Sequence, residues 1–352
     1  MIVLFKKIAA FLLCFVFLFT VNVYAKSENI SARYAVAIDK ATGTVLYDNN
    51  MNDRASMAST TKIMTCLIAC EKLNFDDTVT ITSDMLNKAE GSLIYLKAGD
   101  NITVGDLIKG ALLASGNDAA NALAVAVSGN IADFVSLMNE YAEEFDLKNT
   151  HFETPSGLDS GEHYSTAYDM AVLTSHALDN ELFSSVCSMQ SAEIIINSQP
   201  QTIYNHNKLL YKTEDCIGVK TGYTEKSGRC LVSAFNYKKS TIIIVTLNAY
   251  DDWNDHQKIL DFSKKRYRVY SKTEEIPIDV VGGVSDSLLC RAEYDIAYIN
   301  SIETEACFYP IIYAPVIKGS KVGKLKIYSN NKLIGTVDII APESVTVWQT
   351  TK

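Results

Sequence analysis

The chain has no Cys-x-x-Cys pair and no His-Glu-x-x-His segment, so the usual spacings for a structural or catalytic zinc and for a dithiol redox centre are missing. Its formal charge is −9, which argues against a nucleic-acid partner. No repeat or low-complexity tract interrupts it, and 48% hydrophobic residues are ample for a packed core. Histidine is scarce, with five in 352 residues. His151, His163, His176, His206 and His256 are scattered, a pattern that favours structural or surface roles.

What is present begins with a segment that the mature protein is expected to lack. Lys6 and Lys7 precede an apolar run from Ile8 to Val21, and Val23-Tyr24-Ala25 offers a small-residue exit. That order predicts a secretory signal peptide over residues 1–25, with a core too short for a comfortable membrane span. Cys14 lies inside the apolar core after Leu12-Leu13, the wrong setting for a lipoprotein cysteine. Cleavage removes two lysines and no acid, taking the formal charge from −9 to −11. Seven cysteines then remain (Cys66, Cys70, Cys187, Cys216, Cys230, Cys290 and Cys307). An odd count at irregular spacing is not a disulfide framework. Cys66 and Cys70, one turn apart on an apolar stretch, are expected to act as small hydrophobes.

Residues 33–49 read as two strands around Ala41-Thr42-Gly43. Helical periodicity follows from about Ser59 to Leu73 and over Thr103–Ser128, the latter broken at Ser115-Gly116-Asn117. Further helices are expected at 131–145 and 167–178, strands from Cys216 to Asn248, and a closing helix from about Trp253 to Tyr270. Beyond Ser271 short β-rich runs alternate with Gly and Asn-Asn turns, which predicts a small all-β domain. The order defines an α+β layer domain over 26–271 and a β appendage over 272–352.

Three short motifs carry the chemistry: Ser59-Thr60-Thr61-Lys62, Ser115-Gly116-Asn117 and Lys220-Thr221-Gly222. At a helix start, positions i and i+3 share a face, so the Lys62 amine can reach the Ser59 hydroxyl. Serine is a poor nucleophile until a base takes its proton, and lysine is a base only when burial or a nearby cation lowers its pKa. The apolar helix behind Lys62 and a second lysine at Lys220 can supply both effects. Alone, each motif has a bland reading: an N-capping serine with a solvated lysine, a turn, a hairpin. In this order, each sits in the local structure its role requires.

On these motifs the chain resembles the penicillin-binding proteins and class A β-lactamases. It is most similar to the D-alanyl-D-alanine carboxypeptidases among the low-molecular-mass penicillin-binding proteins. The similarity extends through Glu90-Gly91-Ser92, Gly157-Leu158-Asp159, Tyr164 to Ala171 and Lys220 to Thr224, covering nearly all of residues 33–270. The resemblance implies a transpeptidase-like domain, an antiparallel sheet flanked by helices, with a small C-terminal all-β domain. It implies Ser59 as the acyl-enzyme nucleophile, Lys62 as its base, Ser115 as a proton relay to the leaving D-alanine, and Asn117 orienting Lys62 and the substrate amide. It further implies that Lys220, with Thr221, receives the terminal carboxylate, and that the Gly222-Tyr223 backbone lines the site, Tyr223 N–H completing the oxyanion hole with Ser59 N–H. The expected partners are peptidoglycan stem peptides and, as covalent inhibitors, β-lactams; no cofactor or metal is called for.

Two departures stand out. Several relatives have a carboxylate-binding arginine downstream of the Lys-Thr-Gly strand, where this chain has Asp252 in Asp251-Asp252-Trp253-Asn254-Asp255-His256. Carboxylate binding is then expected to rest more heavily on Lys220 and Thr221. The chain also closes on Glu343 to Gln349, which alternates like a strand, not like the amphipathic anchor of many relatives. No membrane anchor is visible in the mature chain, and the expected location is the exported, cell-wall side of a bacterial cytoplasmic membrane. A β-lactamase is the nearest alternative, but no Glu-x-x-Leu-Asn segment lies between the second and third motifs. A non-catalytic β-lactam sensor calls for a membrane helix or signalling domain that is not seen.

Overall fold

The structure, a computed structural model, describes residues 29–238, 240–298, 302–308, 311–329 and 331–348. The proposed signal peptide at 1–25 lies outside them. The first unit opens with β1 (Tyr34–Asp39) and β2 (Val45–Asn49), a hairpin as expected, followed by a 3-10 turn at Ala58–Thr61 and α1 (Lys62–Lys72). A short ribbon, β3 (Thr78–Thr80) with β4 (Asn101–Thr103), leads into α2 (Val104–Leu112), α3 (Asn117–Ser128) and α4 (Ile131–Glu144). Next come α5 (Ala167–Ala177), α6 (Glu181–Cys187) and a hairpin of β5 (Ser191–Ile196) and β6 (Gln199–Tyr204). The unit closes with β7 (Cys216–Thr224), β8 (Gly228–Tyr237), β9 (Ser240–Ala249) and α7 (Asp252–Lys264). The β5–β6 hairpin and α6 have no strong periodicity in the sequence and were not foreseen.

These strands form one antiparallel sheet in the order β2-β1-β9-β8-β7, which leaves β7 on the edge. The sheet is covered on both faces, which is why β9 carries Ile242-Ile243-Ile244-Val245, all four buried. Strand alternation sends Ile243 and Val245 into the core beneath the helices, and Ile242 and Ile244 into the core beneath α7. Helix α1 runs through the first core and is apolar all round, every residue from Lys62 to Cys70 being buried.

Helix α7 stops at Lys264, short of the expected Tyr270. Tyr267 turns back instead, and its hydroxyl donates to Asp39, a buried carboxylate that also accepts from Thr42 and Ser240. From Arg268 the chain is already strand β10 (Arg268–Val281), the start of a second, all-β unit with β11 (Ser287–Tyr298), β12 (Glu303–Phe308), β13 (Ile311–Tyr313), β14 (Lys321–Ser329) and β15 (Lys332–Ile340). Its sheet order is β12-β14-β15-β11-β10-β13, around a separate core that includes Ile278, Cys290, Leu325 and Ile339. The seven cysteines from Cys66 onward are all free thiols, six of them buried.

Candidate active site

Ser59 sits in the 3-10 turn just before α1, and Lys62 is the first residue of that helix. Because α1 is a core helix, the Lys62 amine enters the protein interior, where the side chain is fully buried. Its Nζ contacts three oxygens: Ser59 Oγ at 2.8 Å, Asn117 Oδ1 at 2.6 Å and the Ser156 carbonyl at 2.6 Å. Burial lowers the Lys62 pKa well below its ordinary value, and the neighbouring charge of Lys220 lowers it further. Two of the three partners can only accept. A neutral amine therefore directs its two N–H groups at Asn117 and Ser156, and its lone pair at the one partner able to donate, the Ser59 hydroxyl.

Asn117 starts α3, and its amide also donates to the Glu90 carbonyl while its backbone N–H donates to Ser92 O at 2.7 Å. The next residue, Asp118, accepts from Ile94 N and Leu96 N, so the 90–96 loop is fastened to the start of α3. Ser115 lies in the break between α2 and α3 with φ of 61°, a left-handed conformation that costs a non-glycine residue about 1–2 kcal/mol. The strain sits at the motif residue itself, buried to 5% exposure, as functional positions often show.

Two glycines set the walls. A Cβ on Gly157 would lie 2.0 Å from the Ala58 carbonyl oxygen, and its φ of +84° also excludes other residues. A Cβ on Gly222 would lie 3.0 Å from Ser59 N, so a hydrogen at this position lets the edge strand β7 approach the Ser59 backbone closely. The Ser156-Gly157 loop that meets Lys62 was not foreseen as part of the site. The only signal in the sequence was the Gly157-Leu158-Asp159 similarity, since a backbone carbonyl acting as acceptor leaves no side-chain trace.

The register of β7 separates residues that the sequence presents as one motif. Lys220 pairs with Val232 and Gly222 with Cys230, both on the face beneath the helices. Thr221 pairs with Leu231 and Tyr223 with Arg229, on the face covered by α7. Lys220 is 1% exposed, its Nζ donates to the Thr221 carbonyl at 2.9 Å, and burial pulls its pKa down to about 7. Asp252, at the start of α7, is buried and accepts from Arg229 Nε at 2.8 Å.

The lowered Lys220 pKa has a consequence for stability. In the unfolded chain lysine titrates near 10.4, so between about pH 7 and that value the unfolded state binds more protons and stability rises with pH. Lys220→Met removes the cost of charging a buried amine. The gain in Tm over wild type is expected to be largest near ~pH 6 and to shrink towards ~pH 9, a comparison that thermal melts at several pH values will make. A gain independent of pH would show that Lys220 is not desolvated.

None of the five histidines hydrogen-bonds Ser59 in the structure. His163 accepts from Glu153 N at Nδ1, which leaves the proton on Nε2 for Thr61 Oγ1, 2.9 Å away. Burial holds its pKa at about 4. His256 lies on the far side of the sheet between Ser233 and Thr246. His176 stacks on Phe145, and the backbone of His151 bridges to Tyr164. His206, beside α2 through its N–H to Leu113 O, has its pKa lowered by burial and by Lys220. Among the described residues, no group of three His, Cys, Asp or Glu side chains is placed to hold a metal ion.

A serine whose side chain bonds, among the described residues, to a buried lysine, set between a helical core and the edge of an antiparallel sheet, fits the class of serine-type hydrolases. Residues 21–251 match the family model described as D-alanyl-D-alanine carboxypeptidase, and 293–347 match that of the penicillin-binding protein 5 C-terminal domain. The chain belongs to the D-alanyl-D-alanine carboxypeptidase family, serine-type hydrolases of the low-molecular-mass penicillin-binding class. It is 32% identical to the D-alanyl-D-alanine carboxypeptidase DacF of Bacillus subtilis, over 89% of this chain and 86% of that protein. It is 31% identical to DacC of Escherichia coli, over 94% and 90%. Among solved structures, penicillin-binding protein 5 of Haemophilus influenzae superposes with a TM-score of 0.67 at 27% identity, covering 92% of this chain and 99% of that one. A variant of a Streptomyces DD-transpeptidase does so at 0.64 and 32%, covering 67% and 99%.

Proposed function

We propose that this protein cleaves the terminal D-Ala-D-Ala bond of peptidoglycan stem peptides, outside the cytoplasmic membrane of a bacterium, through an acyl-enzyme on Ser59. The observation that carries the assignment is the 2.8 Å Ser59 Oγ–Lys62 Nζ contact, with both remaining Nζ partners being carbonyl oxygens. Ser59 Oγ attacks the penultimate D-alanine carbonyl while its proton passes to Lys62. The oxygen that gains charge meets the backbone N–H groups of Ser59 and Tyr223. Collapse breaks the peptide bond, and Ser115 passes a proton to the departing D-alanine amine. Water then hydrolyses the ester and regenerates Ser59. Lys220 raises the positive potential of the pocket.

β-Lactams are taken as slow substrates that trap Ser59. A class A β-lactamase uses a glutamate to activate water for deacylation, and no Glu-x-x-Leu-Asn segment lies between the second and third motifs here. Incubating the purified protein with a pentapeptide ending in D-Ala-D-Ala and measuring free D-alanine tests the assignment. Covalent penicillin labelling of Ser59 without any D-alanine release would favour a sensor.

Residues 272–352 hold none of the proposed catalytic groups, and their proposed role is to position the catalytic unit near the wall. A chain ending at Tyr267 retains the Asp39–Tyr267 bond and stops before β10. It is expected to release D-alanine from a small soluble peptide at close to the full-length rate. A folded truncated protein with no activity would give the β unit a part in the chemistry.

A further inference from the structure

A carboxypeptidase must tell a free chain end from a continuing peptide, and charge-assisted hydrogen bonds to the terminal carboxylate are the direct means. Lys220 is poorly placed to do this alone. It lies on the helical face of β7, is sealed from solvent and already donates to the Thr221 carbonyl. Thr221 lies on the opposite face, and a cation on this face is Arg229, across the ladder from Tyr223 and diagonal to Thr221. Diagonal neighbours in an antiparallel pair are about 7–8 Å apart, within reach of a long side chain.

Three features show that Arg229 is held in a set pose. Its Nε donates to Asp252 Oδ1 at 2.8 Å, and the Asp252 side chain is only 3% exposed. Asp252 Oδ1 also accepts from Trp253 N at the start of α7, which fixes the carboxylate. The guanidinium stands over the Trp253 ring, 5.6 Å from its centroid. Yet 42% of the arginine side chain remains exposed. Nε is taken by Asp252, and among the described residues the two terminal nitrogens have no hydrogen-bond partner, which leaves a fork of the kind that matches a carboxylate.

We infer that Arg229, clamped through Nε by the buried carboxylate of Asp252, reads the free carboxylate of the substrate beside the Thr221 hydroxyl, with Asp252 acting as a positioning residue. The inference rests on the carboxypeptidase reading above. It also gives Asp252 a purpose: the position that departs from the family pattern holds a cation that arrives from the neighbouring strand. Arginine keeps its charge at any pH the enzyme meets, whereas Lys220, with a pKa near 7, does not.

The test compares kcat/KM on a peptide ending in free D-Ala-D-Ala with that on its C-terminal amide, in the wild type and in variants confirmed as folded by thermal melting. Arg229→Gln is expected to lower the acid-to-amide ratio about ten- to hundredfold, mostly through the acid, because the amide never used the cation. Asp252→Ala should lower the ratio in the same direction by freeing the guanidinium. Asp252→Asn, which retains an acceptor for Nε, should restore most of it. A wild-type ratio in Arg229→Gln overturns the inference. If that variant does not fold, Arg229→Lys decides, since it keeps a cation without the fork, and an unchanged ratio there also overturns it. Failure of the carboxypeptidase reading would show separately, as a wild type that leaves the free acid uncut, and would overturn both.

Discussion

Ser59→Ala is expected to abolish D-alanine release and covalent labelling by a fluorescent penicillin together. Both reactions need the same oxygen, and loss of a serine hydrolase nucleophile costs on the order of 10⁶ in kcat. The fold should be unaffected, because Ser59 Oγ bonds to Lys62 and to no other described group, and the turn around it is held by Thr60 and Thr61 hydroxyls bonding to Met57 O and Ala58 O. An unchanged Tm with no labelling would place the effect in the chemistry. Labelling at the wild-type level would move the nucleophile elsewhere, to a serine such as Ser115.

Lys62→Arg is expected to be almost as severe. Arginine keeps its proton in the pH range of the enzyme, so it retains the charge at the site and loses the lone pair that faces Ser59. In the wild type, the acylation rate should rise with pH through the depressed pKa of Lys62, because only the neutral amine can accept the serine proton. Burial is the larger cause of that depression and Lys220 the second, so the ascending limb must lie below the ordinary lysine value of about 10.4. Lys62 and Lys220 influence each other, and the limb belongs to the pair. Removing the Lys220 charge, as in Lys220→Met, should move it to higher pH. Penicillin labelling measured across pH in wild type, Lys62→Arg and Lys220→Met separates these outcomes. Substantial labelling of Lys62→Arg with the same ascending limb would assign the base to another group. His206 would be the first suspect, since His163 is tied to Glu153 N and Thr61.

The Asp252–Arg229 pair shows how a single departure from a family pattern can mislead when read along the chain. In the sequence Asp252 looks like a lost cation, while the arginine it pairs with lies 23 positions earlier. Only the ladder of β8 against β9, which sets Arg229 opposite Ala249, and the start of α7 just beyond that strand bring the two together. Similarly, Lys220 and Thr221 are adjacent in the chain and on opposite faces of the sheet, because consecutive strand residues point opposite ways.

The sequence by itself determined the layer order, the lysine at i+3 from the serine, the broken helix at Ser115 and the β-rich tail. These are local: periodicity, turn chemistry and helix geometry act within a few residues and leave their mark in the pattern of residue types. It did not disclose the end of α7, where Tyr267 leaves the helix because a buried carboxylate from β1 awaits its hydroxyl. Nor did it disclose that Ser156 contributes a backbone carbonyl, or which face of β7 each motif residue takes. Those depend on contacts between segments far apart in the chain. The low Lys62 pKa also belongs to the tertiary structure, since α1, the start of α3 at Asn117 and Lys220 must close around the amine before water is excluded from it.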